Sequence, residues 1–145
     1  MYLLATMCAD LLHYGHVRFL KKAKDLANKR ALLLLVGIHN DEVICTYKRS
    51  PILNQAERAE VVSAIRYVDK VLVDAPLAIT KQYMEQHQID LVVHAHAESD
   101  TSYDDDHVYP ISVGKFVRLD YTDQICTTDI INRCRRHSAG RSTCP

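Results

Sequence analysis

The chain has 145 residues, enough for one compact domain and too few for two ordinary ones. Hydrophobic residues make up 48% and charged residues 25%, a globular composition that excludes a disordered chain. Lysine plus arginine equals aspartate plus glutamate at 18 each, so the basic excess of a general nucleic-acid binder is missing, and any phosphate ligand must be held by local groups.

From the N-terminus, Met1 leads directly into an apolar stretch without the basic region and cleavage site of a secretion signal. Tyr2 to Thr6 reads as a short strand. Val17 to Asn28 carries Val17, Leu20, Ala23 and Ala27 at helical spacing against a polar face of Arg18, Lys21, Lys22 and Asp25. Ala31 to Ile38 is a continuous apolar run, the pattern of a parallel strand buried on both faces. A polar stretch from His39 to Pro51 follows, and Asn54 with Glu57 has the spacing of a capping box that opens a second helix. Val71 to Val73 predicts a third strand, Ile79 to His87 a third helix and Leu91 to Val93 a fourth strand. Residues 95–107 read as an acidic, polar loop, with Asp104, Asp105 and Asp106 either a solvated lid or a metal site. Lys115 to Leu119 predicts a fifth strand and Thr127 to Arg136 a last helix. The expected organisation is therefore one domain over residues 1–136 and a frayed tail over 137–145.

Strands alternating with crossover helices predict an α/β fold, a single Rossmann-like, doubly wound domain with a five-stranded parallel sheet. Ligands of such sheets bind outside the carboxyl ends of the strands, which directs attention to the loops there. The five cysteines (Cys8, Cys45, Cys126, Cys134, Cys144) are odd in number and form no C-x-x-C pair, against a disulfide framework or structural zinc site. No apolar run nears the ~20 residues of a membrane span. A reducing, cytoplasmic setting is expected, with neither membrane nor nucleic acid as partner.

The loop after the first strand places His13 and His16 around Gly15 at the start of a helix, where unpaired backbone N–H groups and the positive helix end favour anions. Both imidazoles can donate to phosphate oxygens, and the glycine permits close approach. The alternatives are two histidines that cap or pack, and, more weakly, metal ligands without a third partner. Neither G-x-x-x-x-G-K-[ST] nor G-x-G-x-x-G occurs, so phosphate binding must rest on side chains and helix ends.

The H-x-G-H within Ala9-Asp10-Leu11-Leu12-His13-Tyr14-Gly15-His16-Val17-Arg18-Phe19-Leu20 resembles the cytidylyltransferase family of HIGH-type nucleotidyltransferases. Three further segments follow in the family's order. Tyr47-Lys48-Arg49-Ser50-Pro51 with Glu57-Arg58 is similar to its lysine loop and E-R helix. Arg66-Tyr67-Val68-Asp69 with Asp74-Ala75-Pro76 is similar to a stretch of the choline- and ethanolamine-phosphate enzymes. Ile125-Cys126-Thr127-Thr128-Asp129-Ile130 is similar to the closing I-S-T-T-D-I signature. Met7-Cys8-Ala9-Asp10, in place of the usual G-T-F-D, resembles the M-S-A-D opening of cytidylyltransferase domains of phosphonate pathways. Ala95-His96 replaces Gly-Asp-Asp, Gln124 and Cys126 replace the Gly and Ser of the closing motif, and Leu77 stands where an aromatic often follows A-P.

The resemblance implies that an acceptor phosphate attacks the α-phosphorus of CTP and releases pyrophosphate, chemistry that needs positioning and charge stabilisation. It implies His13, His16 and Lys48 as catalytic residues. Met7, Cys8, Asp10, Gly15, Thr127 and Thr128 are the implied nucleotide contacts, and Asp10, Lys48 and His94 the implied acceptor contacts. Mg²⁺ accompanies the triphosphate in the family, with no protein cage, and a homodimer is expected. Read without the family, Lys48 is a surface lysine, Thr127 a helix cap and His94 a strand-end histidine, with His96 less certain still. Arg66 and Asp69 are expected as a structural, surface or interface pair, and Tyr67 as core. Acceptors of the phosphoethanolamine and phosphocholine kind lead, with choline disfavoured. Two-carbon hydroxyethyl- or aminoethylphosphonates come next, and glycerol 3-phosphate third. An adenylyl-transferring relative and a catalytically weak nucleotide binder with a regulatory role remain as rivals.

Overall fold

The computed structural model describes residues 1–96 and 104–139. Five parallel strands, β1 (Tyr2–Met7), β2 (Leu33–Ile38), β3 (Lys70–Val73), β4 (Ile89–Ala95) and β5 (Phe116–Leu119), form one sheet in the order β3-β2-β1-β4-β5. Six helices are present among the described residues: α1 (Tyr14–Lys29), α2 (Asp41–Cys45), α3 (Gln55–Ser63), α4 (Lys81–Gln86), α5 (Val108–Ser112) and α6 (Thr127–Ala139). The expected five-stranded, doubly wound sheet is the one observed.

Strand alternation builds two cores. Leu3 and Ala5 of β1 join Leu34, Val36, Leu91 and Val93 on one face, where α1 lays Phe19, Leu20, Ala23 and Ala27. Leu4, Leu35 and Val92 point to the other face and meet Ile79 and Met84 beside α4. Register pairs Leu4 with Leu35 on one side and with Val92 on the other, so the most buried strand sits at the centre. The strand order reverses direction between β1 and β4, and a crevice opens there at the carboxyl ends of the strands.

Several boundaries differ from expectation for physical reasons. Helix α1 begins at Tyr14, not Val17, because His13 is its N-cap and the rest of the H-x-G-H forms its first turn. The helix stops where Ala31 turns left-handed at φ 54, so β2 starts two residues later than Ala31. The polar stretch 39–51 contains α2, capped by Asn40, whose Oδ1 accepts from Val43 N at 2.8 Å. The Asn54–Glu57 capping box is present with both bonds, at 3.0 and 2.8 Å. Thr80 caps α4, which shortens that helix to Lys81–Gln86. The acidic loop is not loop throughout: Asp105–His107 form a 3₁₀ turn with His107 buried, and α5 follows. Residues 97–103 of that loop lie outside the described residues. Helix α6 runs on to Ala139, past the expected end at Arg136, and the remainder of the expected tail, 140–145, lies outside the described residues.

Asp69 does not pair with Arg66. Its carboxylate binds the Lys24 ammonium and accepts from Leu34 N at 2.6 Å, tying α1 to β2. The Arg66 guanidinium instead lies 4.9 Å over the Tyr67 ring, and Tyr67 is half-buried against the α1 core. No described helix is long and apolar enough to cross a membrane.

Gly37, one residue before the end of β2, sits where the chain is tightly packed against its neighbours. A Cβ there would stand 2.8 Å from the Ala75 Cβ and 3.2 Å from the Thr6 Cγ2. Overpacking of this kind costs about 1–3 kcal/mol. Gly37→Ala is therefore expected to lower the urea midpoint by the corresponding amount, and an unchanged midpoint would show that the β2–β1 edge gives freely.

Candidate active site

Helix N-termini, strand ends and one braced loop converge on the crevice between β1 and β4. The cavity there has a volume of about 500 Å³. Met7, Cys8, Asp10, His13, Gly15, His16, Lys48, His94, Thr127 and Thr128, the whole set named from sequence, line this one cavity. They come from positions as far apart as β1 and α6.

The two histidines of the first turn serve the helix as well as the cavity. Gly15 N donates to His13 Nδ1 at 3.1 Å, and His13 N donates to His16 Nδ1 at 3.2 Å. Each Nδ1 is thus an acceptor, so each neutral ring carries its proton on Nε2. That leaves two Nε2–H donors beside the positive end of α1, with ring centroids 3.9 Å apart. Gly15 is required by contact: a Cβ would come within 2.9 Å of the His13 ring and 3.2 Å of Ile125 Cγ2. Burial, then the His13 and Lys48 charges, push His16 down to about 4. Burial also lowers His13, against the attraction of Asp129. Both rings are neutral donors at pH 7.

The start of α6 faces the same space. Asp129 accepts from the Cys126 amide and thiol, at 2.9 and 3.1 Å, and these bonds hold its carboxyl below the usual range. The Thr127 hydroxyl is turned inward and donates to the Asp10 carbonyl at 2.9 Å. In this arrangement the hydroxyl proton is directed at that carbonyl. What Thr127 presents is its backbone N–H, alongside the N–H and hydroxyl of Thr128.

Asp10 lines the cavity and also serves the framework around it. Its carboxylate is 4% exposed and accepts from Ile52 N and Leu53 N, each at 3.0 Å, and from Arg49 at 3.2 Å. Both oxygens are thus occupied in holding the segment that carries Lys48. Arg58 completes the brace with no exposed surface. Its guanidinium donates to the Cys8, His39 and Leu53 carbonyls and to Asp41 at 2.7 Å. The loops after β1 and β2 and the loop entering α3 are locked together by this one side chain. Sequence reading saw Arg58 only as part of a motif and missed the brace, because an E-R pair in a helix carries no signal that the arginine is buried.

The far side of the cavity is lined by imidazoles. His39, at the end of β2, donates from Nδ1 to the Ala75 carbonyl at 2.8 Å. His94, at the end of β4, lies 5.3 Å from the His107 ring and 5.4 Å from the His96 ring. Burial first, and then the neighbouring His107, His96 and Lys48 charges, bring His94 down to about 3. His96 is buried at 4% exposure and does not line the cavity, whereas His39 and His107, which were not singled out from sequence, do. The Lys48 ammonium lines the same cavity and opposes protonation of His16, His39 and His94 alike. Among the described residues no group of three His, Cys, Asp or Glu is placed to hold a metal ion.

A family model described as cytidylyltransferase-like matches residues 5–133. Choline-phosphate cytidylyltransferase 2 of Arabidopsis thaliana is 38% identical over 127 residues, which cover 86% of this chain and 41% of that protein. Ethanolamine-phosphate cytidylyltransferase of the same plant is 41% identical over 130 residues, 86% of this chain and 30% of that protein. Choline-phosphate cytidylyltransferase A of Homo sapiens is 36% identical over 128 residues, 88% and 34%. The chain thus spans less than half the length of these relatives. In fold, it is similar to the solved lipopolysaccharide core biosynthesis protein from Thermoplasma volcanium GSS1, with a TM-score of 0.65 at 21% identity over 85% of this chain and 98% of that one.

Two tests follow. Hydrogen bonds to a charged group contribute about 1.5–3 kcal/mol, so Asp10→Ala should speed amide exchange at Ile52 and Leu53 at least about tenfold; exchange confined to wild-type rates would dissolve the brace. Second, His16 and His94 are held below the ordinary histidine value, so the unfolded chain takes up protons the folded one resists. Their contribution to stability should be full above pH ~6.5 and fall as pH drops toward 4 and 3. The melting temperature should decline through that window and His94→Gln should flatten the decline; a flat wild-type profile would contradict it.

Proposed function

The chain belongs to the cytidylyltransferase-like family, and from that premise we propose that it joins CTP to a small phosphate- or phosphonate-bearing alcohol and releases pyrophosphate. The observation that carries this is the convergence of two Nε2–H donors, a lysine and the N-terminus of α6 on one cavity. Support comes also from relatives named for choline-phosphate and ethanolamine-phosphate.

In the proposed reaction the acceptor's phosphate or phosphonate oxygen attacks the α-phosphorus of CTP in line. The bond from that phosphorus to the bridging oxygen breaks, and pyrophosphate departs with the electron pair. His13 and His16 donate from Nε2 to phosphate oxygens and meet the charge that grows on the leaving group. Being neutral, they act as hydrogen-bond donors and not as acids that lose a proton to solvent. The N–H groups of Thr127 and Thr128 hold the outer phosphates at the positive end of α6. Lys48, on its braced but exposed loop, bridges the α-phosphate and the incoming anion as a point charge. Met7, Cys8 and Gly15 bound the nucleotide side; Asp10 acts by fixing the Lys48 loop, and His94 by facing the acceptor.

Magnesium belongs to the same proposal. The described residues, with both Asp10 oxygens already bonded, fit an ion carried by the phosphates better than one caged by side chains. When bound, it spreads the triphosphate's negative charge. A homodimer and a reducing cytoplasmic setting complete the reading, the latter supported by four unpaired cysteines among the described residues.

Pyrophosphate release should appear with CTP and at least one two-carbon acceptor, and ATP should bind more weakly than CTP. His16→Ala should lower kcat about a hundredfold with little change in KM. Lys48→Ala should lower kcat and raise the acceptor KM together. Wild-type kcat in His16→Ala removes that histidine from the mechanism, and silence with every acceptor despite CTP binding would favour a nucleotide binder.

A further inference from the structure

The cavity beyond Lys48 differs in kind from the end at α1 and α6. It is formed by His39 at the end of β2, Leu77 before α4, His94 at the end of β4, and Asp106 with His107 on the 3₁₀ turn. Tyr47 also borders it, with the Lys48 ammonium over one face of its ring, 5.4 Å from the centroid. Phe19 of α1 and Tyr121, two residues after β5, line the same cavity.

Resting on the transfer reading above, we propose that this imidazole-and-carboxylate basket is the site for the acceptor's non-phosphorus end. It selects an end that donates hydrogen bonds, a primary ammonium or a hydroxyl, over a trimethylammonium, with Asp106, His107 and His94 as the specificity-determining residues.

A quaternary ammonium has no N–H and is recognised by stacked aromatic faces. The described residues that form this end, His39, Leu77, His94, Asp106 and His107, include no six-membered ring. They offer ring nitrogens, an Asp106 carboxylate close enough to His39 to favour that ring's charged form, and one leucine. Methyl groups pressed against imidazole nitrogens and a carboxylate would strip their water and return no hydrogen bond, which is costly for buried polar groups. A hydroxyl or primary ammonium satisfies the same groups. Neutral imidazoles suit both, because each can accept from the ligand or donate to it according to tautomer. The rejection of an analogue that lacks the expected donor is the strongest form of discrimination a site of this sort achieves. His107 is held by its ring contact with Phe116 of β5, centroids 4.9 Å apart, so the turn that carries both His107 and Asp106 is anchored to the sheet.

The experiment is a comparison of kcat/KM for phosphoethanolamine, 2-hydroxyethylphosphonate and phosphocholine, with CTP, magnesium and the full chain. At least one of the first two should exceed phosphocholine by about tenfold or more. Their ranking separates a phosphate ester ending in an amine from a phosphonate ending in a hydroxyl. Asp106→Asn and His107→Phe should each shrink the preference at least about threefold while leaving the KM for CTP unchanged. Because the readout is a ratio within one folded preparation, a loss of stability in His107→Phe does not imitate it. Phosphocholine used as well as the others, or a ratio unmoved by both variants, overturns the inference and leaves the transfer reading standing. If a chain that binds CTP releases no pyrophosphate with any acceptor, the transfer reading falls and this inference falls with it.

Discussion

Arg58 is the residue on which the site's geometry depends. A guanidinium without exposed surface is stable only when its donors are matched, and here they reach three main-chain carbonyls and one carboxylate. The three carbonyls belong to three different loops, and the carboxylate to the first residue of α2. Asp10 works from the opposite side, taking two amides and one arginine of the segment that carries Lys48. Between them an exposed lysine on a long polar connection is given a fixed base, so that only its side chain is free to move. Such an arrangement pre-organises a charge that a flexible loop would have to immobilise during each encounter.

The same economy governs the H-x-G-H turn. Each histidine uses one nitrogen to satisfy a backbone amide of the helix start and thereby dictates which nitrogen carries the proton. Capping by one nitrogen thus leaves the other as a donor beside the cavity. The low proton affinity that burial imposes on His16 keeps it in the donor form across the neutral range.

Much of this was legible in the chain itself. The parallel sheet followed from the apolar run ending at Ile38 and from the regular alternation of strands and helices, and the α3 cap followed from Asn54 and Glu57. Every residue singled out for the cavity lines it, because motif residues and strand-end positions are both tied to local sequence. What escaped was non-local. Nothing around Asp10 announces that its carboxylate faces Ile52 and Leu53, and nothing around Thr127 announces a bond to Asp10. His107 sat in a stretch whose acidity suggested solvent, yet the ring is buried against Phe116. Start positions failed where capping chemistry was unusual: a histidine N-cap is not a standard signal, so α1 was expected three residues late.

The bond from Thr127 to the Asp10 carbonyl joins positions 117 apart in the chain. Its consequence concerns biosynthesis. Strands β1 and β2 with α1 can associate early from local contacts, but one wall of the cavity arrives only with the segment around Ile125 to Thr128. A nascent chain halted before that segment lacks the amides that complete the enclosure.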